Sequence, residues 1–178
     1  TYHLPWSDSI TDDDRVIADL SVLQSNPIVV TEKMDGENTT LYNDYIHARS
    51  IDGRNHPSRN WVKNFWSGIK HNIPEGWRIC GENLYATHSI KYSGLESYFL
   101  GFSIWDNNNI CLDWNTTKDY MYLLGITPVK ELSETEYSNM GADFKDKTHR
   151  RWTENIAPTS EGYVVRATNS FHYKDFRT

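Results

Sequence analysis

The segment Glu32-Lys33-Met34-Asp35-Gly36 follows a β-branched run, Ile28-Val29-Val30-Thr31, which predicts a strand that ends at a lysine. Residues 39–42 and 45–49 flank Asn43-Asp44, a pattern typical of a β-hairpin. A glycine at the fourth position of Lys-Met-Asp-Gly leaves room where a ligand presses on the backbone. The aspartate before it can orient a hydroxyl or a cation. Taken alone, the same segment also fits a surface lysine before a tight turn.

The rest of the chain predicts short strands separated by a few helices. Apolar residues at helical spacing predict a helix over about 59–70, capped by Ser58, and Thr116 or Thr117 begins a second helix that ends at Leu124. Asp12-Asp13-Asp14 suits the N-terminus of an earlier short helix. Further strands are predicted at 77–82, 97–105, 110–114 and 162–167. This alternation predicts one α+β domain over residues 1–178, built on antiparallel sheets.

Composition excludes several classes of protein. The chain of 178 residues has no apolar run long enough to cross a membrane and no N-terminal secretion signal. Its two cysteines, Cys80 and Cys111, form no disulfide framework or metal cluster and are expected to be reduced. We therefore expect a cytoplasmic or similarly reducing location, with no secretion and no membrane contact.

Charge is unevenly distributed along the chain. The net charge is −6, but residues 1–48 hold two basic and nine acidic residues, whereas residues 49–91 hold seven basic and three acidic ones. A locally positive face that contacts phosphates is therefore compatible with the acidic average.

Four later segments place polar residues beside apolar strands, in the order Ala48-Arg49-Ser50, Gly81-Glu82-Asn83-Leu84-Tyr85-Ala86, Phe102-Ser103-Ile104-Trp105-Asp106 and Glu161-Gly162-Tyr163-Val164-Val165-Arg166. An unpaired carboxylate is costly to bury, so the positions of Glu82 and Glu161 favour a functional role. Together with Lys33-Met34-Asp35-Gly36, these segments resemble motifs I, Ia, III, IIIa and IV of the covalent nucleotidyltransferases. That superfamily contains ATP-dependent RNA and DNA ligases and mRNA capping enzymes.

Within the superfamily, residues 81–90 and His3-Leu4-Pro5-Trp6-Ser7 resemble the phage and bacterial RNA ligases related to the second T4 type. The resemblance spans nearly the whole chain. It implies an ATP-grasp-like nucleotidyltransferase domain of antiparallel sheets with flanking helices. The implied activity is ATP-dependent sealing of RNA through a covalent lysine–AMP intermediate.

The resemblance also implies roles for individual residues. Lys33 attacks the α-phosphorus of ATP, and Asp35 and Glu161 are its catalytic partners and the candidate metal ligands. The remaining nucleotide-binding candidates, with the implied contact where there is one, are Glu32 (adenine), Gly36, Arg49 (phosphate), Glu82 (ribose), Phe102 (adenine stacking) and Lys174. Arg54, Arg59 and Lys63 are candidates for RNA phosphates, although a solvated loop and helix face is the simpler interpretation of those three.

ATP as co-substrate, Mg²⁺ or Mn²⁺, and RNA with 5′-phosphate and 3′-hydroxyl ends are the implied partners. The family's motif V, a strand with lysines, is expected shortly after residue 177, so the resemblance implies an additional C-terminal segment. Lys174 is a candidate stand-in for a motif V lysine. A DNA ligase, a capping guanylyltransferase and a catalytically silent nucleotide or nucleic-acid binding module remain the alternatives.

Overall fold

The computed structural model describes residues 2–8, 10–49, 56–86, 88–132, 139–155 and 159–176. Its strands are β1 (Ile28–Lys33), β2 (Glu37–Leu41), β3 (Ile46–Ala48), β4 (Arg78–Asn83), β5 (Phe99–Trp105), β6 (Ile110–Cys111), β7 (Thr127–Pro128), β8 (Gly162–Ala167) and β9 (Phe171–His172). Its helices are α1 (Ser21–Ser25), α2 (Asn60–Ile69), α3 (Trp114–Leu124), α4 (Arg150–Asn155) and α5 (Tyr173–Phe176). Short 3-10 turns, Pro57–Arg59 and Lys70–Asn72, flank α2, and a π-helical turn, Lys145–His149, leads into α4.

The strands form two sheets. In the smaller one, β1 pairs antiparallel with β8, and Lys33 lies opposite Gly162. The larger sheet has the order β3-β2-β4-β5-β6-β9, and the short β7 joins β5 in parallel. The α+β class with antiparallel sheets and the predicted hairpin are thus confirmed, since β2 and β3 pair antiparallel. The β5–β7 pair is a short parallel exception.

The hydrophobic core is divided by the large sheet. On one side, α2 packs Val62, with Trp61 and Phe65, against a cluster that includes Phe99 and Ile104. A second cluster connects the two sheets. It consists of Val29, Met34, Leu84, Leu100, Trp114 and Val129, with Tyr92, Leu95 and Phe102 packed against it. This second cluster fixes how the end of β1 faces β4 and β5, which is where the predicted site residues lie.

Three predicted helix starts differ from the structure. Asp14 accepts hydrogen bonds from Thr11, while α1 begins only at Ser21, so the acidic cluster caps no helix. Ser58 lies in a 3-10 turn, where its N–H donates to His56 Nδ1, and α2 begins after it. The helix α3 starts at Trp114, two residues before Thr116 and three before Thr117.

The true N-cap of α3 is Asp113, whose carboxylate accepts from the Thr116 N–H at 2.9 Å. An aspartate is a stronger N-cap than a threonine, and this one precedes the apolar Trp114 of the buried face. The helical turns at residues 145–155 lie in a polar stretch whose weak periodicity predicted no helix.

The pairing of β4 with β5 contains an irregularity at Phe102. Gly81 pairs with Gly101 and Cys80 pairs with Ser103, so Phe102 is the extra residue of a bulge. Bulges locally redirect side chains and recur beside active sites. Here the redirected ring packs against the cluster that connects the two sheets.

Both cysteines are free thiols, as expected. Burial raises the pKa of Cys80 and of Cys111, which favours the unreactive thiol form at neutral pH. Within the described ranges, no helix is long and apolar enough to cross a membrane.

Candidate active site

The end of the small sheet brings Lys33 and Glu161 together across 128 residues of sequence. Because Lys33 lies opposite Gly162 in the β1–β8 pair, the residue before Gly162 comes beside the lysine side chain. The Lys33 ammonium forms an ion pair with Glu161 Oε1. The side chains remain 44% and 36% exposed, respectively, so a ligand can reach both.

Glu82 approaches the same place from the large sheet. Burial raises the pKa of Glu82 to about 7, and the Glu161 carboxylate adds to the increase. The Lys33 ammonium, a hydrogen bond from Asn38 and the Arg49 guanidinium act in the opposite direction. The oxygen Oε2 of Glu82 is buried and has no hydrogen-bond partner among the described residues. A buried acceptor of this kind fits a donor supplied by a ligand.

Strand register explains why these groups converge. Asn38 of β2 lies opposite Glu82 of β4, so both side chains leave the sheet on the same face. The Arg49 N–H donates to the Asn38 carbonyl at 3.0 Å, which places Arg49 next to this pair. Lys33, Glu161, Glu82 and Arg49 are therefore brought together.

The apolar side of the site is formed by Met34, Leu84 and Phe102. Met34 and Leu84 are buried, and the Phe102 ring is half-buried against the same cluster. The Phe102 ring is thus available to a flat ligand on its remaining exposed part, while the rest of it belongs to the core. Glu32 is half-buried, and its N–H donates to the Lys130 carbonyl at 2.8 Å.

Asp35 forms hydrogen bonds within the protein, in addition to the role that the motif predicts for it. Its Oδ2 accepts from the Ser89 and Ile90 N–H groups at 2.7 and 3.1 Å. Its own N–H donates to the Tyr92 hydroxyl at 2.7 Å. Within the described part of the chain, no group of three or more His, Cys, Asp or Glu residues forms a metal cluster.

Gly36 is needed for contact with the protein itself. A Cβ at this position would lie 2.7 Å from both the Asn83 carbonyl oxygen and Leu84 Cδ2. The sequence suggested that a ligand presses on this glycine, but the close neighbour is β4.

We expect Gly36→Ala to destabilise the protein by about 1–3 kcal/mol, because the β4 backbone must move to admit the methyl group. Gly68→Ala is the matched control, since nothing lies within 4 Å of its added Cβ in helix α2. That change should stabilise by about 0.5–1 kcal/mol, because alanine loses less conformational entropy in a helix. Urea denaturation measures both, and equal midpoints for the two variants would contradict this account.

The predicted RNA-contacting residues have different surroundings. Arg59 forms a two-pronged ion pair with Glu37, at 2.8 and 2.9 Å, and its side chain is only 13% exposed. Lys63 is half-buried on α2. Arg54 lies outside the described residues. Glu37 neutralises this guanidinium and little of the side chain is exposed, so the Arg59 pair indicates a role in anchoring the start of α2 to β2.

Lys174 is not brought to the site. Its N–H donates to His172 Nδ1, and the neighbouring Tyr173 ring packs on Trp105. Trp105 pairs with Arg78, four residues before Glu82 on β4, which corresponds to about 13 Å along a strand. The segment around Lys174 therefore packs at the opposite end of the large sheet from Glu82.

Sequence reasoning missed two residues of the site. Asn38 follows the lysine segment closely and received no role, although strand alternation places it on the same face as Glu82 once the register is known. Tyr92 belongs to no motif, and it reaches Asp35 only because the chain between β4 and β5 folds back. Only the three-dimensional structure reveals the second of these contacts.

A family model described as RNA ligase matches residues 26–178. The chain belongs to the RNA ligase family. No curated protein sequence matched it. The assignment to the second T4 type within this family remains a prediction.

Solved structures with the same fold include RNA ligases. The archaeal ATP-dependent RNA ligase, form 1, is 16% identical with a TM-score of 0.62, and the match covers 85% of this chain and 42% of that chain. The Naegleria gruberi RNA ligase with PPi is 17% identical with a TM-score of 0.60, over 85% and 50% of the two chains. A variant of that ligase with ATP and Mn is 17% identical with a TM-score of 0.56, again over 85% and 50%. This member of the RNA ligase family thus spans half or less of the length of each of these three solved chains.

Proposed function

We propose that this chain is the adenylyltransferase domain of an ATP-dependent RNA ligase, with Lys33 as the residue that becomes joined to AMP. One arrangement carries the proposal. An accessible Lys33–Glu161 pair lies beside the buried Glu82 carboxylate, whose Oε2 has no hydrogen-bond partner among the described residues. A nucleophilic amine and a vacant buried acceptor together suit a nucleoside phosphate better than either does alone.

In the first step, Lys33 Nζ forms a bond to the α-phosphorus of ATP, and the bond from that phosphorus to the pyrophosphate oxygen breaks. An amine attacks only after losing its ammonium proton. That proton leaves to water, and Glu161, the ion-pair partner, holds the Lys33 side chain in the site. The products are lysine-bound AMP and pyrophosphate, with one proton released from the amine.

The remaining residues suit the nucleoside part of ATP. Glu82 Oε2 would accept from a ribose hydroxyl, and this contact satisfies its hydrogen-bonding capacity. Phe102 would stack on the adenine ring with its exposed part, and Glu32 would contact the adenine amino group. Arg49, which is exposed beside Asn38, would bind a phosphate through its planar fork of donors.

A divalent cation, Mg²⁺ or Mn²⁺, is part of the proposal. Glu161 is the carboxylate that best fits it, because Asp35 Oδ2 already accepts two N–H groups. Mg²⁺ needs only one or two protein carboxylates when phosphates and water complete its shell, so the small number of donors fits. When bound, such an ion neutralises charge on the phosphates.

Two later steps would complete sealing. AMP passes from Lys33 to the 5′-phosphate of an RNA strand, and a neighbouring 3′-hydroxyl then attacks that phosphate and releases AMP. Arg54 and Lys63 remain the proposed contacts for RNA phosphates. The excess of basic residues over 49–91 suits this partner.

The test uses the full-length protein, a divalent metal, and ATP or GTP labelled at the α-phosphate. After denaturation, we expect acid-labile label from ATP alone, lost in Lys33→Ala and kept in Lys147→Ala, an exposed lysine outside the site. Label from GTP would indicate a capping enzyme instead. Nucleotide binding without a covalent adduct would indicate a silent module and overturn the proposal.

Strand preference is tested with the same protein and matched nicked duplexes. We expect a 3′-hydroxyl on RNA to be sealed faster than one on DNA. Equal or faster sealing of an all-DNA nick would favour the DNA ligase alternative.

A further inference from the structure

Asp35 and the chain between β4 and β5 hold each other through three hydrogen bonds. The Asp35 carboxylate accepts from two successive backbone N–H groups, those of Ser89 and Ile90. In the reverse direction, the Tyr92 hydroxyl accepts from the Asp35 N–H at 2.7 Å. We call this arrangement of Asp35 with residues 89–92 the Asp35 clamp. It ties the turn after Lys33 to a segment that is more than 50 residues away in sequence.

Tyr92 is well anchored for this purpose. Its ring is half-buried and packs against the cluster that contains Met34 and Leu84. Burial raises the pKa of the Tyr92 hydroxyl, and the carboxylates of Glu32, Asp35 and Glu161 add to that increase, although the Asp35 N–H lowers it. The hydroxyl is thus neutral at physiological pH and lies close to the acidic groups of the site.

We propose that Tyr92 is a positioning residue for the attachment of AMP to Lys33. The inference rests on the proposed function and assigns a role to a residue outside all the sequence motifs. Tyr92 acts through the Asp35 N–H and has no contact with the reacting atoms.

The geometry explains how this works. On one side, Lys33 is fixed by its pairing with Gly162. On the other side, the buried Met34 and the clamped Asp35 determine where the backbone leaves the strand. Attack requires the amine within about 3–3.5 Å of the phosphorus and in line with the leaving group, and a misplacement of about 1 Å can slow a reaction roughly a hundredfold. Loosening one side of the turn therefore lowers the fraction of molecules with Lys33 correctly placed.

The two chemical stages offer a way to separate positioning from general stability. Attachment of AMP needs Lys33 as nucleophile, whereas sealing of RNA that already carries AMP on its 5′-phosphate does not. In the full-length protein, we expect Tyr92→Phe to slow single-turnover attachment about tenfold, the typical effect of one lost hydrogen bond to a partly buried donor. Sealing of pre-adenylylated RNA should stay within about twofold of the wild-type rate, because its reacting groups come from the RNA.

Two further variants sharpen the test. Tyr120→Phe is the matched control, a half-buried tyrosine whose ring packs on Trp77 in the other core, and it should leave both rates unchanged. Asp35→Asn weakens the Asp35 clamp from its other side. Combined with Tyr92→Phe, it should slow attachment by less than the product of the two single effects, because both changes disrupt one unit.

The possible outcomes separate the two proposals. If Tyr92→Phe slows attachment and sealing equally, the tyrosine has only a structural role. If the attachment rate is unchanged, the Tyr92 hydrogen bond does not affect the position of Lys33. Either result overturns the positioning role and leaves the proposed function intact. Absence of any AMP adduct in the wild-type protein would instead reject the proposed function itself.

Discussion

Lys33→Arg is expected to abolish covalent attachment of AMP while preserving the fold. The guanidinium keeps a positive charge beside Glu161 and Glu82, so the electrostatic balance of the site is largely retained. It stays protonated throughout the accessible pH range and offers no lone pair for attack on phosphorus. Labelling from α-labelled ATP should fall by more than about a thousandfold, as expected when a nucleophile is removed.

The control for this prediction is Lys118→Arg. Lys118 also pairs with a carboxylate, Glu131, at 2.7 Å, and its side chain is similarly exposed at 36%. Labelling should be unchanged there, which separates the effect of losing this amine from that of any Lys-to-Arg change. Sealing of pre-adenylylated RNA should survive in Lys33→Arg. Label at the wild-type level in that variant would place the nucleophile on another residue.

The central part of the site could be predicted because its residues lie in short ordered segments. The end of β1 at Lys33 follows from the β-branched run before it, and the strand that begins at Gly162 follows from a similar run. Their pairing across the small sheet does not follow from local pattern, since no sequence periodicity states which two strands are neighbours. The resemblance to ordered family motifs indicated only that Lys33 and Glu161 belong to one site, and the structure supplied the pairing. For Glu82, the cost of burying a carboxylate correctly marked a residue with unusual surroundings.

What could not be predicted depends on register and on long-range contacts. The bulge that redirects Phe102 arises from how β5 pairs with β4. From the sequence, Arg59 was expected to be a solvated basic residue, yet it forms an ion pair with Glu37 of β2. Tyr92 reaches Asp35 through an irregular segment with no periodicity to interpret. In each case the interacting residues are distant in sequence, so the local sequence around one of them does not identify the other.

Glu82→Gln should stabilise the fold and at the same time slow the attachment of AMP. Because the folded-state pKa of Glu82 is raised from 4.5 to about 7, ionising this carboxyl opposes folding. The penalty is absent below pH 4.5, grows as the pH rises through this interval and is complete above pH 7. Glutamine carries no charge, so the variant does not have this ionisation penalty. At pH 8, after allowance for partial exposure, the gain should be about 1–2 kcal/mol, or roughly 3–6 °C in melting temperature.

The same substitution removes one of the two carboxylate oxygens available to a ribose hydroxyl, so attachment of AMP should slow by about 10- to 100-fold.

Glu131→Gln is a control for which the expected change in stability has the opposite sign. Burial raises the pKa of Glu131, but hydrogen bonds from Lys118 and Trp114 outweigh it and lower the pKa overall. The ionised form of Glu131 therefore stabilises the fold at neutral pH, and its replacement should lower the melting temperature at pH 8. Melting curves at pH 4.5 and pH 8 measure both effects, and a Glu82→Gln gain that is equal at the two pH values would rule out ionisation as its cause. A stabilised but slowed variant would mean that Glu82 is kept charged for the nucleotide at the expense of the fold.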